Sequence, residues 1–372
     1  MKVGDKMNIL IAPDSFKGSL DAERVCRIIR YSIKRNCPDC KITELPLADG
    51  GEGTATLMAK ALRGRIEKCV VEGPFGKPCT ASVAFVDKGN TAIIESAQAI
   101  GLPLAGKRAN PERTSSYGVG QMISFATSRG AKKIILTLGG SSTNDLGAGM
   151  LSAMGVQFVD ICGNHFTPVG GNMLRVEAIE FNQAFSKYRE IEFVLMCDVK
   201  NPLLGKFGAA EVYSPQKGAS PEAVMRLERG AEKLSQIMNR VTGTNEKDTE
   251  GAGAAGGLGF AAMSFFRAKV RSGIDVVLDM YDFQRQAEYA DLIITGEGKL
   301  DSQSFMGKAI DGVLKASKGK KCAIFCGKCE AERIPDGVDI IEIGKGIPTD
   351  EAMSRAADLL SDAADSYFQK TL

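Results

Sequence analysis

The sequence predicts an α/β protein built from two α/β domains. One is a flavodoxin-like doubly wound parallel sheet, discontinuous in the chain, and it is interrupted by a larger mixed α/β domain. Three observations carry this expectation. Residues 8–12 (NILIA) and 290–295 (ADLIIT) are short apolar runs of the kind found in strands buried on both faces of a parallel sheet. Each strand is followed by a helical pattern or a glycine-rich loop, the alternation that builds such sheets. Two strands near the start and three near the end then sum to five, the count of a flavodoxin-like sheet. The boundaries this suggests are 1–64 with 283–372 for the sheet domain and 65–282 for the insertion.

Taken in order, Met7 directly precedes the first strand, so residues 1–6 read as a dispensable extension. Over 20–35, Leu20, Val25, Ile28, Ile29 and Ile33 share one helical face, with Asp21 and Glu23 in the first turn. A second strand is expected at 41–47 and a second helix at 53–62. The insertion begins with strands at 69–72, 82–87 and 91–95, then a helix, and a strand at 133–138. A strand at 192–196, a helix at 221–241 and a glycine-rich helix start near Gly251 follow, in a topology the pattern does not fix. After the strand at 290–295 come a helix at 308–317, strands at 321–326 and 338–343, and a closing amphipathic helix at 350–368. An inserted domain leaves a cleft at its two crossings, where small-molecule sites often lie, and the active site is expected there.

Composition narrows the function. With 372 residues and a formal charge of +2, the chain has no electrostatic footprint for nucleic acid or an anionic membrane. No apolar run approaches the ~20 residues of a membrane span, and the N-terminus lacks the apolar core of a secretory signal. A cytoplasmic location with ten reduced cysteines is the expectation. The single histidine, His165, lies in the polar turn CGNHFTP, which argues against Ser–His or Cys–His catalysis.

The loops after the strands concentrate glycine, carboxylates and donors. The first strand ends in APDSFKGSL (12–20), the second in PLADGGEGT (46–54), and the third in TGEGKLDSQS (295–304). Carboxyl ends of parallel strands lie on one sheet edge, where ligands bind. Asp14, Ser15, Lys17, Asp49, Glu52, Glu297, Lys299 and Asp301 are therefore expected to be neighbours. Within the insertion, GGSSTNDLGAGML follows the strand at 133–138, CDVKNPLLGKFG (197–208) follows that at 192–196, and SPQKGAS spans 214–220. Phosphoryl transfer uses such an inventory: amides and cations at phosphates, carboxylates for Mg²⁺, and an acid/base at the acceptor hydroxyl. Two patterns are set aside. GAGAAG (251–256) matches a dinucleotide fingerprint but follows the polar TGTNEKDTE rather than a buried strand. The pairs Cys37/Cys40 and Cys326/Cys329 fall at opposite sheet edges and cannot share a zinc, so reduced thiols are the simpler reading.

Seven segments together, APDSFKGSL, PLADGGEGT, GGSSTNDLGAGML, CDVKNPLLG, SPQKGA, GAGAAGGLG and ITGEGKLDSQS, resemble the motif set of the bacterial class I glycerate kinases, in register from about residue 8 to 355. The resemblance implies an ATP- and Mg²⁺-dependent kinase acting on the 2-hydroxyl of D-glycerate to give 2-phosphoglycerate. A kinase of another small hydroxy acid, a 3-phosphoglycerate-forming enzyme, and a non-catalytic nucleotide-binding regulator stay open beside it. Its partners are then small molecules, D-glycerate and ATP, and the sequence leaves room for a homodimer. On this reading the catalytic set is Asp198, Lys17, Asp49 and Lys299. Gly139, Gly140, Ser141, Thr143, Asn144 and Gly298 bind nucleotide or phosphate. Asp14, Ser15 and Asp301 bind substrate, and Glu297 with Asp49 holds Mg²⁺. Asp198 is the expected acid/base or metal ligand. The chain departs from the family at Ser142 and Leu146, where Ala and Gly are usual, and at Lys299, where Arg is frequent and loss of the planar fork weakens bidentate recognition. Arg113 stands where an apolar residue is common and is not assigned to the substrate carboxylate.

Overall fold

The computed structural model describes residues 7–371, and the extension at 1–6 lies outside them. The chain forms two compact units, one running to Asp49 and resuming at Ser272, the other Gly50–Arg271. In chain order the strands are β1 (Asn8–Ile11), β2 (Lys41–Glu44), β3 (Arg65–Glu72), β4 (Pro78–Val86), β5 (Thr91–Glu95), β6 (Lys133–Thr137) and β7 (Val156–Val159). They continue with β8 (His165–Phe166), β9 (Ala178–Phe181), β10 (Glu192–Met196), β11 (Lys269–Arg271), β12 (Leu292–Leu300), β13 (Cys322–Cys329) and β14 (Val338–Glu342).

The first unit holds one five-stranded sheet in the order β14-β13-β12-β1-β2, with every pairing parallel. Counted within the unit this order is 2-1-3-4-5, the flavodoxin-like arrangement expected. The helix Ala22–Asn36 starts where the Asp21 side chain accepts a hydrogen bond from the Arg24 N–H. Its buried Val25, Ile29 and Ile33 recur every fourth residue and join Ile9, Ile294 and Phe325 in one core. It ends at Cys37, whose N–H donates to the Ile33 carbonyl. The reduced state expected of the cysteines does not extend to this pair. Cys37 and Cys40 form a disulfide across the turn, where their Cα atoms approach to 5.5 Å. Cys326 and Cys329 both lie within β13 and are free thiols.

Two further differences follow from pairing. The segment 295–300, expected as a loop, continues β12, because β13 runs alongside it with Glu297 opposite Cys326 and Lys299 opposite Lys328. Glycine permits this crowding: a Cβ on Gly296 would sit 2.3 Å from the Phe325 carbonyl oxygen. The closing helix is two helices, Thr349–Ser354 and Ala356–Thr371.

The second unit contains a six-stranded sheet, β11-β10-β6-β5-β4-β3, parallel through β5 and antiparallel beyond it. A small antiparallel sheet, β8-β7-β9, accompanies it. The helix Thr54–Ala61 packs on β3, β4 and β5, and the Ala55 N–H donates to Glu95 Oε1 at 2.7 Å. It therefore belongs to this unit, while the helix Gly273–Met280 belongs to the first. The seams fall at 49/50 and 271/272, where the sequence pattern suggested 64/65 and 282/283. Among the described residues no helix is long and apolar enough to cross a membrane.

Candidate active site

In the first unit β1, β2 and β12 are parallel, so the loops after β1 and β2 leave from one edge. The Asp14 N–H donates to the Gly296 carbonyl at 2.8 Å, holding the first loop against β12. Burial pushes the Asp14 carboxyl up to about 6, against the Ser15 N–H bond at 2.6 Å and with the Asp49 charge adding to the rise. Burial also raises Glu297, with the Asp14 and Asp301 charges adding to it, and Glu297 Oε1 is buried without a hydrogen-bond partner. The four carboxylates thus share one electrostatic neighbourhood. Ser15 and Lys17 are exposed on the first loop.

Three expected site residues here carry structural duties. Asp301 caps the turn Ser302–Phe305, accepting from the Gln303 N–H at 2.9 Å while its own N–H donates to Ser304 Oγ. Lys299 is ion-paired to Glu330 at 2.8 Å, and Glu330 also takes Lys328, which holds the Glu330 carboxyl down near about 2. A Cβ on Gly298 would sit 3.1 Å from the Lys17 backbone nitrogen. That glycine serves the close approach of the first loop rather than a flexible phosphate cradle.

In the second unit Glu95, Thr137 and Met196 are level across β5, β6 and β10, so the following loops leave from a common edge. Asp198 is the first exposed residue after β10. Asn201 fixes the loop behind it, donating to the Phe207 carbonyl at 2.8 Å and accepting from the Tyr213 hydroxyl at 2.6 Å. The loop after β6 is sorted by depth. Gly139 and Gly140 are exposed, Ser141 keeps 5% of its surface, and Thr143 and Asn144 keep none. Thr143 Oγ1 and Asn144 Oδ1 are buried without partners, while Asn144 Nδ2 donates to Ser214 Oγ at 2.6 Å. Burial thus corrects the expectation for Thr143 and Asn144: they stand behind the surface that Gly139, Gly140 and Ser141 present.

The residue that sequence reasoning passed over is Lys217. It is buried in a one-turn helix, Pro215–Lys217, and its ammonium donates to Ser141 Oγ at 3.1 Å and to the Thr143 carbonyl at 2.7 Å. Burial pushes the ammonium down to about 7, opposed by the charge of Asp145. Asp145 is itself fully buried. Burial raises its carboxyl against hydrogen bonds from the Ser116 N–H and Oγ and the Gly147 and Gly149 N–H groups. A lone lysine in the polar string SPQKGAS reads as a solvated side chain, and only its fold partners mark it. GAGAAG buttresses the same loop, since Leu146 N–H donates to the Gly256 carbonyl at 3.0 Å. His165 is an exposed residue of β8 beside Glu180.

The model of the glycerate kinase family matches residues 9–371. The chain belongs to the glycerate kinase family. It is 38% identical over 366 residues to the glycerate kinase of Bacillus subtilis, covering 96% of each chain. It is 38% identical over 313 residues to the glycerate 2-kinase of Escherichia coli, covering 84% of this chain and 82% of that one. Among solved structures it resembles one from Salmonella typhimurium LT2, provisionally named glycerate kinase 2, with a TM-score of 0.88 at 35% identity, covering 99% and 98% of the two chains. Its glycine-, hydroxyl- and carboxylate-bearing loops lie at the carboxyl ends of the parallel strands in each unit.

Proposed function

We propose that this chain transfers the γ-phosphoryl group of ATP to the 2-hydroxyl of D-glycerate, giving 2-phosphoglycerate and ADP in the cytoplasm. The observation that most strongly supports this is the family match along nearly the whole chain, with relatives named glycerate kinase covering 96% of it. The site chemistry is in keeping with it. Phosphoryl transfer asks the protein for positioning and charge rather than a covalent nucleophile, and the edges described offer carboxylates, an ammonium and open glycine backbone.

In this reading Asp198 accepts the hydroxyl proton as the oxygen attacks phosphorus. The backbone at Gly139 and Gly140, with the Ser141 hydroxyl, orients phosphate oxygens. Lys217 sets that hydroxyl: because the ammonium donates to Ser141 Oγ, the Ser141 proton is directed to another acceptor. Lys17 is the exposed cation for a phosphate or carboxylate oxygen. Mg²⁺ is held in many kinases by one or two carboxylates plus substrate phosphates rather than a full protein cage. Glu297, with its unpartnered buried oxygen, Asp14, whose charge acts on it, and Asp49, whose charge acts on Asp14, fit that mode. Among the described residues no group of three or more potential ligands is drawn together as a closed site. When bound, Mg²⁺ would neutralise charge on the phosphates.

The test is incubation of purified protein with MgATP and D-glycerate and identification of the product by phosphorus NMR. Appearance of 2-phosphoglycerate is expected. A 3-phosphoglycerate signal would overturn the regiochemistry, and no turnover would overturn the reading.

A further inference from the structure

A basic depression in the second unit has no assigned role. It has a volume of about 520 Å³ and is lined by Phe75, Lys77, Lys107, Arg108, Asn110 and Arg113. That is within the size range of small-ligand sites. Its floor is built by local backbone structure. The Asn110 side chain accepts from the Glu112 N–H at 2.9 Å, the Arg113 N–H donates to the Asn110 carbonyl, and the Ser115 N–H donates to the Pro74 carbonyl. These bonds tie the turn between β3 and β4 to the segment 107–115.

The charge here is unbalanced. Among the described residues none of Lys77, Lys107, Arg108 or Arg113 is ion-paired to a carboxylate. Arg108 lies over the Phe75 ring at 5.3 Å, which fixes the guanidinium without neutralising it. The neighbouring acids on these segments are Glu72 and Glu112, and Glu112 is taken by Arg226 at 2.8 and 3.0 Å. Four cations around one concavity repel one another, and a near-neutral chain has no general reason to gather them.

The depression also adjoins the loop after β6. Gly101 bridges to Ser141, and the Leu102 N–H donates to the Gly140 carbonyl at 2.9 Å, so the segment leading to Lys107 is bonded to that loop. A Cβ on Gly218, next to Lys217, would sit 2.3 Å from the Ala109 carbonyl oxygen. The pocket wall and the turn carrying Lys217 are therefore packed backbone to backbone.

We propose that this depression binds the polyphosphate of the nucleotide substrate, with Arg108 and Arg113 as its principal anchors. The choice of a polyphosphate over a carboxylate rests on charge count. A hydroxy-acid carboxylate is satisfied by one guanidinium, whereas a triphosphate presents several charged oxygens that match several cations. The inference rests on the kinase reading but is testable apart from it.

The experiment titrates the full chain with MgATP, without glycerate, by isothermal calorimetry, for wild type, Arg108→Gln/Arg113→Gln and Lys77→Gln/Lys107→Gln. Thermal melting of each variant serves as the folding control. The expected result is a roughly tenfold or greater loss of ATP affinity in the arginine pair and a smaller loss in the lysine pair. The salt dependence of binding should flatten in both. In coupled assays the KM for ATP rises while the KM for glycerate holds. Wild-type ATP affinity in the arginine variant would overturn the proposal, as would a rise confined to the KM for glycerate. A wild-type chain that binds ATP but leaves glycerate unmodified would overturn the function reading, while the binding series still decides this one.

Discussion

At the scale of single residues, Asp14 and Lys217 each couple stability to pH. The folded Asp14 carboxyl sits near about 6, above the roughly 3.9 of an unfolded aspartate, so the folded state binds its proton more tightly. Its contribution to stability is full below about 4 and is lost as pH rises through about 6. Asp14→Asn should therefore raise the urea midpoint above pH 6, leave it unchanged below pH 4, and cut turnover by about tenfold or more. Lys217 has the opposite sense. Its ammonium, near about 7 when folded, titrates near 10.4 in an unfolded chain, so stability rises with pH across that window. Lys217→Met should flatten this slope, measured by urea unfolding at pH 6, 8 and 9.5. Because Lys217 acts through Ser141, kcat/KM for ATP should fall as pH rises through about 7, and that alkaline limb should vanish in Lys217→Met. Persistence of the limb would assign it to another group.

At the scale of elements, the glycine-rich run 251–257 is a packing device. Gly256 has φ +69°, and a Cβ there would lie 2.0 Å from the Thr143 carbonyl oxygen, with Asn144 at 2.7 Å. Gly256→Ala should cost about 3 kcal/mol, combining left-handed strain with overpacking, read as a shift in urea midpoint at constant slope. On the proposed role of this loop, kcat/KM for ATP should fall with it, since Thr143 and Ser141 share the bonds to Lys217. Leu146, with φ 52° and fully buried, shows the same principle in reverse. A side chain rather than a glycine holds the turn, and it packs inward instead of opening the backbone to a ligand.

At the scale of the whole molecule, each unit has its own core: Ile9, Val25, Phe325 and Phe368 in one, Phe85, Ile134, Leu195 and Phe260 in the other. Calorimetric unfolding should therefore show an enthalpy exceeding the van't Hoff value, the mark of more than one cooperative step. Saturation with MgATP at about 100 times its Kd should stabilise the binding unit by roughly 2.7 kcal/mol. The sequence by itself determined the five-stranded parallel sheet and its glycine-and-carboxylate loops, because apolar runs and turn residues are local patterns. Asp14, Asp49 and Asp198 stand out as candidates in the sequence because a carboxylate in the loop after a strand is visible in one dimension, whereas Glu297 lies within β12. Only the tertiary structure decided that 295–300 is strand, that Asp301 is a cap, that Lys299 belongs to Glu330, and that Lys217 is buried beneath Ser141. The reason is physical: a side chain's burial and partners are set by elements distant in sequence. Asp145 lies 72 residues from Lys217 in the chain (217 − 145 = 72), yet its charge acts on that ammonium.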